Sequence, residues 1–454
     1  MDIYSIILAA GEGKRMKSKT AKPLQRVGGK TIVERVLDAA EGAGAKENVI
    51  VVGHKAEDIR DYLGDRAHYA YQHEQLGTGH AVIQGMKCLE GKTGIVMALC
   101  GDTPLITAEA LKSVLDEHIA GGRAATVISA IAENPFGYGR IVRENGEIKR
   151  IVEHKDATDE ERKICEINAG MFFFDIEKLR GALGRLKNDN AQGEYYLTDT
   201  VEILISDGEK VGASVIGYDD TLGVNDRIQL AAVEKICNRR NVERVMLSGV
   251  TVIDPDNTYI ESGAVIGIDS VIYPGCVIEG DTVVGEDCVI GPDTTLHNAK
   301  VGSGTRVERS VLTDSTVGSN TNVGPFAYMR PGSRVGDGVK IGDFVEIKNS
   351  TIDDGTKVAH LTYVGDADVG KRVNFGCGTV IVNYDGVHKH RTTIGDDAFI
   401  GCNSNLVSPV TVQSGAYTAA GSTITDEVPE NALAIARSRQ VVKEGWVTKN
   451  RKKK

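Results

Sequence analysis

From about Val252 to Val412 the chain repeats itself every six residues. Aliphatic side chains stand at Ile260, Ile266, Ile272, Ile278, Val284, Ile290 and Leu296. After single-residue slips the register resumes at Val317, Val323, Met329, Val335, Ile341 and Ile347, and it recurs at Ile394, Ile400, Leu406 and Val412. Glycine directly follows many of these positions, as in Ile266-Gly267, Val284-Gly285, Ile341-Gly342 and Ile400-Gly401. An α-helix repeats after about 3.6 residues and a strand after about 2, so neither yields six over such a length. A parallel β-helix does. Each flat side takes about six residues, one aliphatic points into the prism, and small residues turn the corners. This accounts for the 53 glycines and the aromatic content of only 5%.

Two places disturb the repeat. Around His360 the order becomes "KVAHLTYVGDADVG", read here as an interruption of the rhythm, and between Ile381 and Ile394 a loop, "VNYDGVHKHRTT", is inserted. A solenoid accommodates an insertion by extruding it, often on a binding face.

The N-terminal half has another rhythm. Short apolar runs at Ile3–Ala9, Val49–Val52, Ile95–Leu99 and Ala125–Ile131 alternate with helical stretches such as Ile32–Ala40 and Ala108–His118. The alternation predicts a mainly parallel sheet with helices on both faces. This half ends near Arg227, and Ile228–Val245 reads as one charged amphipathic helix that serves as a connector. The expected division is residues 1–227, a linker over 228–248, and a β-helix with its tail over 249–454.

At 454 residues the chain is too long for one core. A net charge of -10 argues against nucleic acid as the main partner, and the basic tail Arg451-Lys452-Lys453-Lys454 reads as solvated. No apolar run is long enough to span a bilayer, and no secretory leader is evident. The eight cysteines lack paired spacing and read as reduced, mostly buried thiols, which points to the cytoplasm.

"LAAGEGKRM", Leu8–Met16, follows the first strand. It lacks the third glycine of a dinucleotide fingerprint and the spacing of a P-loop. What remains is a loop with Gly11 and Gly13, then Lys14, Arg15 and, further on, Lys22. This suits either an anion cradle for a triphosphate or an ordinary exposed turn. In "YQHEQLGTGHA", Gln72, Gly77 and Thr78 offer hydrogen bonds and close backbone approach to a planar base. Asp102, in "CGDTPL", sits at a strand's carboxyl end, where parallel sheets bind ligands. A lone carboxylate there either turns the chain or takes Mg²⁺. "FGYGRI", "IVEHKDA", "EINAG" and "GVNDR" set polar groups beside glycines and read as loops.

These segments, in this order and followed by hexapeptide repeats, closely resemble the bifunctional N-acetylglucosamine-1-phosphate uridylyltransferase/glucosamine-1-phosphate acetyltransferase family over nearly the whole chain. The resemblance implies a Rossmann-like α/β nucleotidyltransferase domain followed by a left-handed parallel β-helix. It also implies that the first half joins UTP to N-acetylglucosamine-1-phosphate and releases pyrophosphate. Leu8, Ala9, Ala10, Gly11, Gln72, Gly77 and Thr78 would hold the nucleotide. Arg15 and Lys22 would neutralise the triphosphate, Gly139, Glu153 and Asn168 would bind the sugar, and Asp102 and Asn225 would ligate Mg²⁺.

For the second half the resemblance implies acetyl transfer from acetyl-CoA to glucosamine-1-phosphate, with His360 as general base. An ordinary imidazole titrates near pH ~6.5 and can take the proton of an attacking amine. A lone histidine in a coil corner is ordinarily structural, and the interruption beside it argues for function. Arg330 and Lys348 would take the sugar phosphate, and Tyr363 and Asn374 would orient the sugar. Asn383, Tyr384, Cys377, Cys402, Ala420 and Arg437 fall at acetyl-CoA positions. The chain departs from the family at Cys100, where Tyr is usual, and at Cys377 and Cys402, where Ala and Ser are. Two thiols beside a thioester make this half sensitive to alkylation. The pair His388 and His390 reads as solvated rather than metal-binding. The family's β-helices trimerise side by side, which would bring the segment around Trp446 to a neighbouring subunit. Two other readings stay open: a nucleotidyltransferase whose β-helix only oligomerises or regulates, and a structural scaffold.

Overall fold

A computed structural model describes residues 1–190 and 192–451; Lys452, Lys453 and Lys454 of the basic tail lie outside the described residues. The chain divides into two compact units, with the boundary between Cys237 and Asn238.

The first unit is built on β1 (Ile3–Leu8), α1 (Ile32–Gly42), β2 (Glu47–Val52), α2 (Ala56–Leu63), β3 (His68–Tyr71), α3 (Thr78–Lys87), β4 (Ile95–Cys100), α4 (Ala108–Gly121), β5 (Ala125–Ile131), β6 (Arg140–Glu144), β7 (Glu147–Val152), β8 (Glu166–Asp175), α5 (Ile176–Leu183), α6 (Asp199–Ser206) and β9 (Val211–Val215). Among the described residues these strands form a nine-stranded sheet in the order β9-β5-β8-β4-β1-β2-β3, with the β6–β7 hairpin attached to β8. Its strands read as continuous apolar runs because both faces are covered. On one face lie Val82, Leu179 and Val201, from α3, α5 and α6. On the other lie Val36, Ile59 and Leu111, from α1, α2 and α4.

The sheet is mainly parallel along β9, β5, β4, β1, β2 and β3, as expected, and mixed because β8 runs antiparallel between β4 and β5. One expectation needs correction. "EINAG" is not a loop but the start of β8, bent by a register shift between Asn168 and Phe172. The shift breaks the alternation that would have marked a strand.

A long helix, α7 (Arg227–Leu247), spans the unit boundary. Its Val233 and Cys237 pack with Met16, Val27 and Ile32 in the first unit, and Val242 and Val245 join the core of the second.

The second unit is a left-handed parallel β-helix with three flat sides. Among the described residues the sides hold eleven, ten and nine short strands, each pairing in parallel with the strand one coil later. The first side begins with Thr251–Val252, the second with Tyr259–Ile260 and the third with Val265–Ile266. Every aliphatic of the six-residue register is buried in one continuous core. Two residues before many of these stands a small buried residue such as Ser270, Thr282, Thr305 or Thr321, whose size permits the corner.

The inward register continues through His360, and within that stretch it only shortens once, to a five-residue step between Val364 and Val369. Ile352, Val358, Val364, Val369, Phe375 and Ile381 all point inward and are buried. Polar residues had masked a register that continues beneath them. The insertion is real: Val380–Val382 closes the second side, and Thr392–Ile394 opens the third. Between them a short excursion is pinned by a bridge between Tyr384 and Lys389.

The cysteines are less buried than expected. Cys237, Cys276 and Cys288 are buried, Cys88, Cys165 and Cys402 are exposed, and Cys100 and Cys377 lie between. Among the described residues no helix is long and apolar enough to cross a membrane.

Candidate active sites

At the carboxyl ends of β1 and β4 the chain leaves the sheet, and the two exits frame a cavity of about 280 Å³. It is lined by Leu8, Ala9, Ala10 and Gly11 after β1, by Gln72, Gly77 and Thr78 around the start of α3, and by Lys22 and Asp102. Gln72 is buried, and its Nε2 donates to the Gly77 carbonyl at 3.1 Å. Gly77 has φ +101°, and a Cβ there would come within 2.7 Å of the Tyr195 carbonyl. Only glycine fits so close an approach with that backbone.

The Lys22 ammonium donates to Asp102 Oδ2 at 2.6 Å and to Asn225 Oδ1 at 3.3 Å. A carboxylate and an amide oxygen therefore converge on one cationic point beside the cavity. Hard oxygen donors of this kind, few in number, suit Mg²⁺ that keeps its remaining positions for phosphate and water. Of the three cations noted after β1, only Lys22 lines the cavity. Lys14 pairs with Glu12, and Arg15 is exposed on the short turn Lys14–Met16.

Gly139, Glu153 and Asn168 form a neighbouring group. The Asn168 amide donates to the Gly139 carbonyl at 2.9 Å, and a Cβ at Gly139 would lie 3.4 Å from Glu153 Oε1. Burial, then the charges of Asp156 and Asp199, push the Glu153 carboxyl above its usual range. Asn168 Oδ1 accepts from the Gly170 amide at 2.9 Å, and Cys100 Sγ lies 3.3 Å from the Gly170 carbonyl, so this group reaches the cavity wall. Burial pushes the Cys100 thiol up to about 12, which makes it an inert wall residue.

In the β-helix, His360 ends the first-side strand Lys357–His360 and is followed by Leu361 at φ 44°. Its register partner one coil earlier is Asp343. His360 Nδ1 lies 2.6 Å from Asp343 Oδ1, and this bond holds the Asp343 carboxyl below the usual carboxylate range. With Nδ1–H donating to the carboxylate, Nε2 is left as a base. Asp343 was not foreseen. It occupies a corner like many other corner aspartates, and only the coil register brings it against His360.

The corner carries more. Cys377, Cys402 and Ala420 each stand two residues after an inward position, Phe375, Ile400 and Thr418, as His360 does after Val358. They follow Asp343 and His360 up one edge of the prism. Arg437 approaches the top of this row, its Cδ 3.7 Å from a Cβ built at Gly421.

Arg330, Lys348 and Tyr363 share the second side. Arg330 pairs with Glu346 at 2.9 Å, and Lys348 with Asp366 at 3.4 Å. Asp366 also accepts from Asn349 and from Asn383, which ties the inserted loop to the Lys348 row. Lys389, on the same loop, comes within hydrogen-bonding reach of Lys348, and that contact, then the like charge, pulls its ammonium below the usual lysine range. Sequence reading missed Lys389, because nothing local marks it. Asn374 stands apart from this group, in the outward row of the first side. His390 Nε2 bonds Asp385 at 2.7 Å and so shapes the loop; among the described residues no group of three His, Cys, Asp or Glu is placed to hold a metal.

Fold and sites together define a two-unit transferase, an NTP transferase followed by a hexapeptide transferase. Residues 5–163 match the MobA-like NTP transferase domain, and residues 314–349 match the bacterial transferase hexapeptide of six repeats. The chain is 56% identical to the bifunctional protein GlmU of Acetivibrio thermocellus over 98% of its own length and 97% of that protein's. It is 54% identical to GlmU of Clostridium perfringens over the full length of both, and 54% identical to that of Caldanaerobacter subterraneus over 100% and 99%. The chain belongs to the GlmU family of bifunctional proteins.

Proposed function

We propose that the protein makes UDP-N-acetylglucosamine in two transfers, acetylating glucosamine-1-phosphate and then joining the product to UTP. The observation that carries this is one polar constellation in each unit, Lys22–Asp102–Asn225 in the first and Asp343–His360 in the second. The functional division is residues 1–227 for nucleotidyl transfer, 228–248 for the linker, and 249–454 for acetyl transfer.

In the β-helix, Arg330, Lys348 and Lys389 hold the sugar phosphate while Tyr363 and Asn374 orient the ring. The amine attacks the thioester carbonyl of acetyl-CoA, His360 Nε2 takes its proton, and the CoA thiol leaves. Asp343 keeps the imidazole in the right tautomer and stabilises its charged form. Cys377, Cys402, Ala420, Asn383, Tyr384 and Arg437 hold the donor.

In the first unit the loop after β1, with Gln72, Gly77 and Thr78, holds the uridine nucleotide, and Gly139, Glu153 and Asn168 hold the sugar. The phosphate oxygen of N-acetylglucosamine-1-phosphate attacks the α-phosphorus of UTP, and pyrophosphate departs. Such chemistry needs alignment and charge neutralisation more than covalent help. Lys22 and Arg15 supply positive charge to the triphosphate. Asp102 and Asn225 would hold Mg²⁺, which supplies further charge neutralisation when bound.

The protein works in the cytoplasm, where these substrates are, as a homotrimer. Asn374 and the Arg330–Lys348–Tyr363 group face out from different sides of one prism, so neighbouring prisms complete the site. The exposed ladder of Phe326, Phe344 and Leu361, beside the His360 corner, supports coverage by another copy. Trp446, exposed on a C-terminal turn of helix, would reach that copy.

The test follows thiol release from acetyl-CoA with glucosamine-1-phosphate, and uridylyl transfer in the same tubes, for the parent and His360→Ala. Loss of thiol release alone in the variant supports both sites. A parent that releases no thiol reduces the β-helix to a scaffold.

A further inference from the structure

The corner row contains two thiols in consecutive coils. The Gly376 amide donates to the Ile400 carbonyl at 2.7 Å, and the Asn403 amide donates to the Cys377 carbonyl at 2.8 Å. In a parallel ladder these two bonds bracket one register, in which Gly376 faces Gly401 and Cys377 faces Cys402. The same register appears just upstream, where Phe375 pairs with Ile400. Facing residues on adjacent parallel strands lie about 4.8 Å apart, inside the Cα separation of about 4.4–6.8 Å that a disulfide spans. The contact is close: a Cβ built at Gly376 would lie 2.8 Å from the Cys402 Cα.

Both thiols can be reached by reagents, Cys402 being exposed and Cys377 half-buried. The other β-helix cysteines lack such a neighbour. Cys276 and Cys288 are buried, and their coils set Thr294 and Thr305 against them.

We propose that Cys377 and Cys402 form a reversible disulfide that closes this corner to the acetyl donor. The bond rests on the facing of the two turns and on the accessibility of both thiols, whereas the closing rests on the placement of acetyl-CoA proposed above. The oxidant is a low-molecular-weight disulfide, RSSR. The exposed Cys402 thiolate attacks one of its sulfurs, forming Cys402–S–SR and releasing the first RSH after protonation. The Cys377 thiolate then attacks the Cys402 sulfur, and the second RSH leaves with the Cys377 proton. The protein loses two hydrogens, RSSR gains them, and excess dithiol reverses the exchange. Because the substrate and product of this half are themselves a thioester and a thiol, the switch couples donor binding to the thiol–disulfide state around it.

The test uses the full chain. It is incubated with oxidised glutathione, the remaining thiols are blocked with iodoacetamide, and the peptides are mapped by mass. Expected is one peptide pair joined through Cys377 and Cys402, dispersed by dithiothreitol. Acetyl transfer is lost on oxidation and regained on reduction, while uridylyl transfer is unchanged. In Cys402→Ser, the ratio of oxidised to reduced acetyl transfer stays near unity, whatever that variant's own reduced rate. Recovery of both cysteines blocked by iodoacetamide, or each carrying glutathione without a joined peptide, overturns the proposal. A joined peptide with acetyl transfer intact upholds the bond and instead overturns the placement of acetyl-CoA at this corner.

Discussion

In the proposed acetyl transfer, Asp343 is the residue that positions His360. Its carboxylate is exposed enough to be partly screened, yet it sets the tautomer and orientation of the ring through one 2.6 Å bond. Asp343→Asn is expected to lower kcat for acetyl transfer by about 10–100-fold with little change in KM, part of the range general-base catalysis supplies. Steady-state thiol release measures both constants. Gly77 lines the cavity proposed for the nucleotide. Gly77→Ala sets a Cβ against the Tyr195 carbonyl at a positive φ, so it is expected to cost about 1–3 kcal/mol locally. Uridylyl transfer should fall while acetyl transfer stays at the parent rate, as parallel assays would register. Lys22, Asp102 and Gln72 were legible because each sits in a short motif beside a strand end. Asp343, Lys389, Gln75 and Glu194 were not. The first two meet their partners only through coil register and loop excursion, Gln75 joins the cavity wall by donating to the Ala10 carbonyl at 2.9 Å, and Glu194 reaches it only once the segment around Tyr195 has folded against the start of α3.

At the scale of elements, the β-helix was legible almost residue by residue, because one inward aliphatic per flat side leaves a period nothing else produces. The reversal of β8 was not. Met171, Phe172, Phe173 and Phe174 read as a buried strand in either direction, and which neighbours they join is a property of the whole sheet. Helix α6 carries a testable charge. Burial, then the charges of Glu202 and Asp156, push the Asp199 carboxyl from 3.8 up to about 6. The folded state thus holds this proton more tightly than the unfolded chain, so this group's contribution to stability is full below pH about 3.8 and is lost as the pH rises through about 6. Asp199→Asn is therefore expected to stabilise the protein by about 1–2 kcal/mol at pH ~7.5, an advantage that fades toward pH ~4. Thermal unfolding of both proteins across that range reads the sign directly.

At the scale of the molecule, the two units have separate cores. The β-helix core draws on residues from Val242 to Val428, and the cores of the first unit on residues from Tyr4 to Cys237. Ile347 is fully buried in the former, and Ile347→Ala is expected to cost about 2–5 kcal/mol. Acetyl transfer should then be inactivated at a lower temperature while uridylyl transfer survives as in the parent, which residual activities after graded heating would reveal. The corner row has a geometric consequence of its own. Asp343, His360, Cys377, Cys402 and Ala420 are spaced by the strand separation, about 4.8 Å per step, so the row spans about 19 Å. It is a ruler with molecular graduations. On the proposed placement of a long, thin donor along this row, the distance between the base and the far grip can change only by whole coils, so that reach is quantised by the backbone rather than tuned by side chains.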